Sequence, residues 1–520
     1  MILSLAAADM ATDLYSVALS NIADYFKVEG SIVQLTISFN IMGIAISGLI
    51  YGPLSDHYGR RPIMLIGMAI FTFASILCCI ANNITFLILA RFIQGMGSGV
   101  AGVIGYAAIR DMYSAINFSF VYAEVLYTWS QVVPEGKLSV RAIIDNDVCP
   151  TAFVDGKETT MLERYDEDNV EKVCELLVQK DVKEININNV QIPILPKKIN
   201  KIAFIGDTGC RINTLHQQEC NSLESWPLKK NLDSIALHKP DLIIHVGDYH
   251  YRRTKCRDTQ KCGSIHGYNA QTWYTDWFEQ AKDISQQSPF LFVRGNHEDC
   301  NRAHKGWFRY LDSYPFSSEK CENFVPSWFL DIGLMKFFVF DSSSGEDIIT
   351  IKSDVDAFSK QFNKLTLSDS DKPVWFLTHR PLWRSPKKEF LTLKNHGNLS
   401  QIEAFGDDFP NNVAAIVSGH IHIAQILLMD NVPDQIIVGN GGALLHAQDQ
   451  EHIYRNIEFS YSNGKNYLAR EIKNFFGFGF AVLDLNDHKL IFYNQDNDEI
   501  YSAELTEDFK IAADFDRHSR

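Results

Sequence analysis

The sequence predicts an α/β (α+β) domain behind a small β domain and about four transmembrane helices. Three observations predict this order. Long apolar runs fill residues 1–114, short alternating runs divided by turn residues fill 115–200, and from Lys201 onward apolar strand-like runs each end in a polar motif. At 520 residues the chain exceeds one typical domain, so two or three are expected. No internal repeat or low-complexity segment interrupts it.

The apolar runs come first. Ile32 to Tyr51 and Pro62 to Ile80 lack acidic and basic side chains, and Ile84 to Ile109 is interrupted only by Arg91. Each matches the ~20 helical residues that cross a bilayer core. Met1 to Ser20 is a weaker fourth span, broken by Asp9 and Asp13, without the basic start or small-residue cleavage site of a signal peptide. Arg60 and Arg61, in the loop between two spans, mark a cytoplasmic side. Arg91 inside a span is costly and therefore a functional candidate, against the simpler reading of a side chain that snorkels to the interface.

The loop Gly52-Pro53-Leu54-Ser55-Asp56-His57-Tyr58-Gly59-Arg60-Arg61-Pro62 resembles the signature Gly-x-Leu-x-Asp-x-x-Gly-Arg-Arg of the major facilitator superfamily. Arg91-Phe92-Ile93-Gln94-Gly95-Met96-Gly97 is similar to that family's fourth-helix motif. Asp9-Met10-Ala11-Thr12-Asp13-Leu14-Tyr15 is similar to the first helix of its Bcr/CflA-like drug-efflux branch. The resemblance covers residues 1–114 and implies a partial transporter segment, multi-pass, in a bacterial inner membrane with the lipid bilayer as partner. Transport by such folds needs two six-helix halves; with about four helices the segment is not expected to transport alone, and the alternatives are an anchor, assembly with another chain, or the remnant of a gene fusion.

Between 115 and 200 the pattern changes. Ala115 to Leu126 is apolar but short and contains Glu124, so it is not a span. Leu138 to Ile144, Thr151 to Val154, Val173 to Val178 and Ile185 to Ile194 alternate as strands do, divided by Pro134-Glu135-Gly136 and Asp155-Gly156. A small β domain is expected here, with no chemistry of its own.

The catalytic candidates follow. Ile202 to Ile205 runs into Gly206-Asp207-Thr208-Gly209, and Leu242 to Val246 into Gly247-Asp248-Tyr249-His250-Tyr251. Phe290 to Val293 leads to Gly295-Asn296-His297-Glu298, Val374 to Leu377 to Thr378-His379, and Val413 to Val417 to Gly419-His420-Ile421-His422. Buried strands that present ligands at their carboxyl ends are what α/β architectures provide.

These five motifs, in this order, resemble the calcineurin-like metallophosphoesterases. Gly209 stands where that superfamily has a histidine ligand, and Tyr251 stands three residues after Asp248. Asp-x-Gly with Gly-Asp-x-x-Tyr is the pattern of purple acid phosphatases. The resemblance implies a four-layer sandwich of two mixed sheets flanked by helices over 201–505, with 506–520 as a tail. It assigns one metal to Asp207, Asp248, Tyr251 and His422, and a second to Asp248, Asn296, His379 and His420, with Asp248 bridging. Phenolate and carboxylate suit Fe(III); imidazole and amide oxygen suit divalent Fe, Zn or Mn. It makes His297 a catalytic residue that binds phosphate or protonates the leaving alcohol, rather than one that only orients Asn296. His396, His250 and His304 are candidates for a further histidine. Trp273, Trp277 and Trp383 are candidate pocket residues, though such aromatics more often belong to the core.

The expected reaction is hydrolysis of a phosphate monoester. Its rivals are a phosphodiesterase, a transporter with a regulatory phosphatase-like domain, and a binding module with structural metals. Residues 1–114 carry a net charge of −1 and the rest −14. So acidic a domain is not expected to bind nucleic acid, yet it admits a phosphorylated small molecule, because bound cations invert the local field. Eight cysteines, Cys149 to Cys321, lie in the soluble region without a Cys-x-x-Cys pair, which suggests disulfides and an oxidising compartment. That opposes the arginine loop, from which two further spans return the chain to the cytoplasm; the side that the domain faces is left open.

Overall fold

The structure is a computed structural model. It describes residues 18–117, 125–145, 147–165, 171–316, 321–367, 371–384, 397–405, 409–446, 453–461 and 464–512. The chain divides into two compact units, Met1–Tyr122 and Ala123–Arg520.

In the first unit, helices Leu19–Phe26, Gly30–Tyr58, Arg60–Cys79 and Ile84–Asn117 follow one another. Within them, Gly30–Gly48 and Arg61–Cys79 are long and apolar enough to cross a membrane, and Ile84–Val100 is a shorter apolar stretch. Among the described residues two helices thus pass by length and composition, against an expectation of about four. Most of the weak first span, Met1 to Ser20, falls outside the described residues. The loop expected over Gly52 to Pro62 is a correction: the helix continues through Pro53 to Tyr58, and only Gly59, at φ 91°, separates it from the next. A left-handed backbone favours glycine, so a single residue makes the break. Arg91 does not snorkel. It is buried, its Nη1 donates to Gln94 Oε1 at 2.6 Å, and its carbonyl accepts from Asn40 Nδ2 at 2.8 Å.

The second unit is built on two mixed sheets. In the first, Lys201–Ile205, Leu242–His245 and Phe290–Phe292 run parallel, with Ile244 opposite both Phe204 and Leu291. Antiparallel strands Gly479–Asp484, Lys489–Asn494 and Glu499–Glu504 extend one edge. Val125–Val132, Leu138–Ile144, Lys172–Val178 and Leu162–Tyr165 extend the other, making ten strands. Two of these four, Leu138–Ile144 and Lys172–Val178, hold runs expected to form a separate small β domain. Instead Gln131 pairs with Phe290 in parallel and the strands continue the catalytic sheet. Only Thr151–Val154, Lys157–Thr160, Ile185–Ile187 and Val190–Gln191 make a small sheet of their own.

The second sheet has eight strands. Lys336–Val339, Val374–Leu377, Val413–Ser418 and Asp434–Val438 are parallel to one another at its centre. One core lies between the sheets: Phe204, Leu242 and Leu291 of the first pack with Phe337, Trp375 and Ile426 of the second. Each such side chain, fully buried, contributes about 1.5–3 kcal/mol. The outer faces are covered by helices. Leu228, Leu232 and Ile235 of Leu228–Leu237 cluster with Ala203 and Ile243, and Phe358 and Phe362 of Lys352–Thr366 cluster with Phe338 and Phe376. The expected tail begins as core: Phe509 is buried, and its carbonyl accepts from Trp375 Nε1 at 3.0 Å. Residues 513–520 lie outside the described residues.

The eight cysteines of this unit pair as Cys149–Cys174, Cys210–Cys220, Cys256–Cys262 and Cys300–Cys321. Cys78 and Cys79 are free thiols. Trp273, Trp277 and Trp383 are 1%, 2% and 1% exposed, so they belong to the core rather than to a pocket.

Candidate metal centre

Each candidate ligand sits one to a few residues past a buried parallel strand, where the ladder ends and the backbone is free to turn. Asp207, Asp248 and His420 take positive φ values of 56°, 64° and 72°. Such left-handed conformations cost of order 1–3 kcal/mol each in a residue with a Cβ, and they cluster where a site needs them. Gly247, at φ 104°, must be glycine for a second reason: a Cβ there would lie 2.4 Å from His379 Nδ1. Gly209 explains the departure from the Asp-x-His pattern. A Cβ at 209 would stand 2.9 Å from Tyr251 Cδ2 and 2.5 Å from the Tyr249 carbonyl oxygen. A side chain at 209 and the Tyr251 ring cannot share this space.

The fold brings all seven candidate ligands together in two overlapping sets. In the first, the Tyr251 phenol oxygen lies 2.9 Å from Asp207 Oδ1, 2.5 Å from Asp248 Oδ2 and 2.8 Å from His422 Nε2. In the second, His379 Nε2 is 3.2 Å from Asp248 Oδ1, and the Asn296 amide lies 3.0 Å from His379 Nε2 and 2.8 Å from His420 Nδ1. Asp248 belongs to both: its Oδ2 faces Tyr251 and its Oδ1 faces His379. Asp248, His379 and His420 alone offer a carboxylate and two imidazole nitrogens within 4.8 Å of one another.

The donor chemistry fits cations. One phenolic proton cannot satisfy two carboxylates and an imidazole, and buried polar groups must be satisfied. Burial pushes the Tyr251 phenol well above its usual range, and Asp207 and Asp248 push it further. Burial also pushes the Asp207 carboxyl up to about 8, with Asp248 adding to it against the pull of His379. Burial opposes charge on Asp248 too, but His379 and His297 hold its carboxyl well below the usual range. His379 responds in kind: burial disfavours its cation, yet Asp248 and Asp207 raise it to about 9. A shared cation on each side of Asp248 would supply the positive charge that this cluster otherwise draws from its own imidazoles.

The remaining ring nitrogens are fixed by outer partners. His379 Nδ1 lies 2.8 Å from the Val246 carbonyl oxygen and His422 Nδ1 2.7 Å from that of Leu444, so each ring donates from Nδ1 and turns Nε2 to the centre, where a bound cation would take the place of any proton on it. His420 is reversed: its Nε2 lies 2.6 Å from Asp347 Oδ2, which leaves Nδ1 for a metal. Asp347 is held by Arg380 Nη1 at 2.8 Å. Burial opposes its charge, but His420 and Arg380 keep its carboxyl well below the usual range. Asp347→Asn removes this orientation and is expected to lower metal affinity or activity about 10- to 100-fold. Metal titration of the purified variant checks it; wild-type stoichiometry and rate would show that Asp347 does not orient His420.

Glu298 holds the motif loops against one another. Its buried carboxylate accepts the backbone N–H groups of Asp248 and Gly295 at 3.1 Å, Tyr249 at 3.0 Å and His250 at 3.3 Å. His297 sits beside the centre: its N–H donates to Asp248 Oδ1 at 2.8 Å, its Nδ1 lies 2.9 Å from the His250 carbonyl oxygen, and its ring is 3.9 Å from that of Tyr251.

Among the other histidine candidates, His250 turns its Nε2 to the Gly267 carbonyl oxygen at 2.8 Å. No bond joins His304 to the seven ligands among the described residues, and His396 lies outside them. His446 was not anticipated. Its ring stacks on that of His422 with centroids 4.9 Å apart. Neither Asp347 nor His446 follows a strand in a recognisable motif, so no local signal marks them.

Residues 200–424 match the family model described as calcineurin-like phosphoesterase, and residues 1–128 match that of the Major Facilitator Superfamily. The second unit therefore carries a phosphoesterase domain, a hydrolase, and the N-terminal segment is a transporter-type, membrane-associated one. The chain is similar in fold to a purple acid phosphatase isolated from yellow lupin (Lupinus luteus) seeds, at 15% identity and a TM-score of 0.51, over 73% of this chain and 74% of that one. The N-terminal part is 42% identical over 131 residues to an uncharacterized transporter of Rickettsia bellii, which is 25% of this chain and 32% of the relative. It is 37% identical over 113 residues to Multidrug resistance protein D of Escherichia coli, 22% of this chain and 29% of that protein. The chain thus spans 32% and 29% of the length of these curated relatives.

Proposed function

We propose that the second unit hydrolyses phosphate monoesters at a binuclear metal centre, with Fe(III) held by Asp207, Asp248, Tyr251 and His422. A divalent Fe, Zn or Mn ion would be held by Asp248, Asn296, His379 and His420. The observation that carries this is the meeting of the two donor sets at one shared carboxylate, Asp248, which Tyr251 reaches at Oδ2 and His379 at Oδ1. Two such ions, when bound, supply a hydroxide nucleophile at neutral pH and a clamp for the phosphoryl oxygens. The chain's own residues do the rest. Asp248 sets the spacing of the two sets, and Glu298 keeps the Asp248 and Asn296 loops in register. His297, tethered at Nδ1 by the His250 carbonyl oxygen and held toward its neutral form by burial, would take the proton of the bound phosphate monoester monoanion at Nε2 and pass it to the leaving alcohol.

The test uses the full chain in detergent, with metal analysis and hydrolysis of p-nitrophenyl phosphate against its bis ester across pH. Tyrosinate–ferric absorption in the visible is expected in wild type and not in Tyr251→Phe. An active wild type without that band defeats the iron assignment. His297→Ala is expected to slow kcat by roughly 10²- to 10⁴-fold with metal content unchanged; a faster loss of metal than of rate would make His297 an orienting residue. Preference for the bis ester would move the reading to a phosphodiesterase.

We further infer that residues 1–114 attach this domain to a bacterial inner membrane through several spans and do not transport by themselves. The four disulfides support a domain that matures in an oxidising compartment, outside the cytoplasm. Protease protection in membrane vesicles decides it: cleavage of the domain from the cytoplasmic side rejects the exported orientation.

A further inference from the structure

Arg302 stands four residues past Glu298, just beyond the Cys300–Cys321 bridge that pins this turn. Its backbone N–H donates to the Asp299 carbonyl oxygen at 3.0 Å, and the next N–H, of Ala303, donates to that of His297 at 3.0 Å. The guanidinium is therefore carried by the same short segment that carries Asn296 and His297. Its Nη1 lies 2.6 Å from one end of the Asn296 amide, while the other end of that amide faces His420 Nδ1 at 2.8 Å, His379 Nε2 at 3.0 Å and Asp248 Oδ2 at 3.2 Å. One planar amide thus separates Arg302 from the candidate ligands of the second metal.

The two ends of an amide are chemically different. Only the oxygen has a lone pair for a cation; the NH₂ group has two donors and none to offer. If Asn296 is a metal ligand, its oxygen faces inward and its NH₂ group faces Arg302. Two N–H donors then oppose each other at the 2.6 Å contact. That contact is repulsive, and Arg302 needs another acceptor. Asp299 offers a loose ion pair, its Oδ2 3.7 Å from Arg302 Nε, but no hydrogen bond at that distance, so the guanidinium's N–H donors still need an acceptor. The guanidinium is a permanent cation whose planar fork matches the oxygens of a phosphoryl group, and it is about a quarter exposed, with 26% side-chain accessibility.

We propose that Arg302 binds the phosphoryl oxygens of the substrate beside the second metal, in the position to which the coordinating Asn296 amide displaces it. This rests on the phosphoesterase reading of the centre. Asn296 would then act twice, as a ligand and as the group that turns Arg302 toward the anion.

The experiment compares wild type, Arg302→Gln and Arg302→Lys as full-length, metal-loaded proteins. It measures KM and kcat for p-nitrophenyl phosphate and the affinity for inorganic phosphate by calorimetry, without turnover. Arg302→Gln is expected to raise both KM and the phosphate Kd by about 10- to 100-fold, as the loss of hydrogen bonds to a charged group does. Metal stoichiometry should stay at the wild-type value, and Arg302→Lys should recover part of the phosphate affinity. A wild type that hydrolyses the ester beside an Arg302→Gln variant with unchanged KM and phosphate Kd overturns the proposal and leaves the phosphoesterase reading standing. Loss of bound metal in both variants would make Arg302 a structural support and also overturns it. A wild type that neither hydrolyses the ester nor binds phosphate removes the reading and this inference together.

Discussion

Asp248→Asn is expected to abolish hydrolysis by the full-length protein, lowering kcat/KM on the order of 10³-fold or more, because metal-centred charge stabilisation is worth several kcal/mol. The substitution keeps the shape of the side chain and removes its charge. Asp248 Oδ2 faces Tyr251 at 2.5 Å, while Oδ1 faces His379 at 3.2 Å and accepts the His297 N–H at 2.8 Å. An amide has one acceptor end, so one of these two faces meets an NH₂ group. Both candidate metal sets lose their shared anion, and metal content should fall together with the rate. Folding should survive, since the Asp248 backbone N–H still donates to Glu298. Colorimetric assay with metal analysis on the same preparation checks this. Full activity in Asp248→Asn would overturn the whole assignment of the site.

The second large effect concerns stability. Arg141 is wholly buried on strand Leu138–Ile144. It donates to the carbonyl oxygens of Tyr310 at 2.5 Å and Asp312 at 2.7 Å, and to Glu175 Oε1 at 2.9 Å. Arg164 completes the network, with Nη1 2.9 Å from Glu175 Oε2 and Nη2 on the carbonyls of Phe308, Asp312 and Tyr314. Two arginines thus tie the edge strands of the first sheet to the segment that follows Arg302. Arg141→Met takes the guanidinium donor from the buried Tyr310 carbonyl and the charged partner from Glu175 Oε1, which keeps only the Ser139 hydroxyl at 2.5 Å. Breaking a buried pair on one side costs about 3–5 kcal/mol, so a marked fall in Tm is expected at neutral pH.

The pH dependence has a definite sign. Burial opposes charge on Glu175, but Arg141 and Arg164 hold its carboxyl at about 2, below its ordinary 4.5. The stabilisation is therefore complete above the ordinary value and is lost as pH falls toward about 2. Wild type and Arg141→Met should differ most at neutral pH and converge in acid. Thermal melts across that range measure the difference; a gap that widens in acid would remove Glu175 as its source.

What could be read from the sequence depended on whether a signal was local. The candidate ligands were legible because each follows a short apolar run. A buried parallel strand that ends in Gly-Asp, Gly-Asn-His or Gly-His advertises both its burial and its function within about eight residues. Two strands beyond the parallel core are not legible as part of the first sheet, for the opposite reason. Leu138–Ile144 and Lys172–Val178 alternate as any half-buried strand does, and nothing in that alternation says which sheet they join. The pairing of Gln131 with Phe290 decides it, across a long stretch of chain. The loop over Gly52 to Pro62 was read from glycine, proline and charge, yet its backbone continues as a helix up to Gly59. Pro53 interrupts one hydrogen bond in a long helix and does not end it.

By itself the sequence determined the candidate donor set, through the resemblance its motifs carry: two carboxylates, a phenol, an amide and three imidazoles, with Gly209 and Tyr251 in place of the Asp-x-His pattern. These follow from residue identity at the ends of strands. It also determined that eight cysteines stand in the soluble part, though not that Cys210 joins Cys220 or Cys300 joins Cys321. Only the tertiary structure decided that a side chain at 209 would collide with Tyr251, that Asp347 orients His420, and that Arg302 lies one amide away from the centre. Those relations join residues from separate loops. Side chains meet there because sheet packing brings the loops to one end of the parallel strands, and no spacing along the chain encodes that meeting.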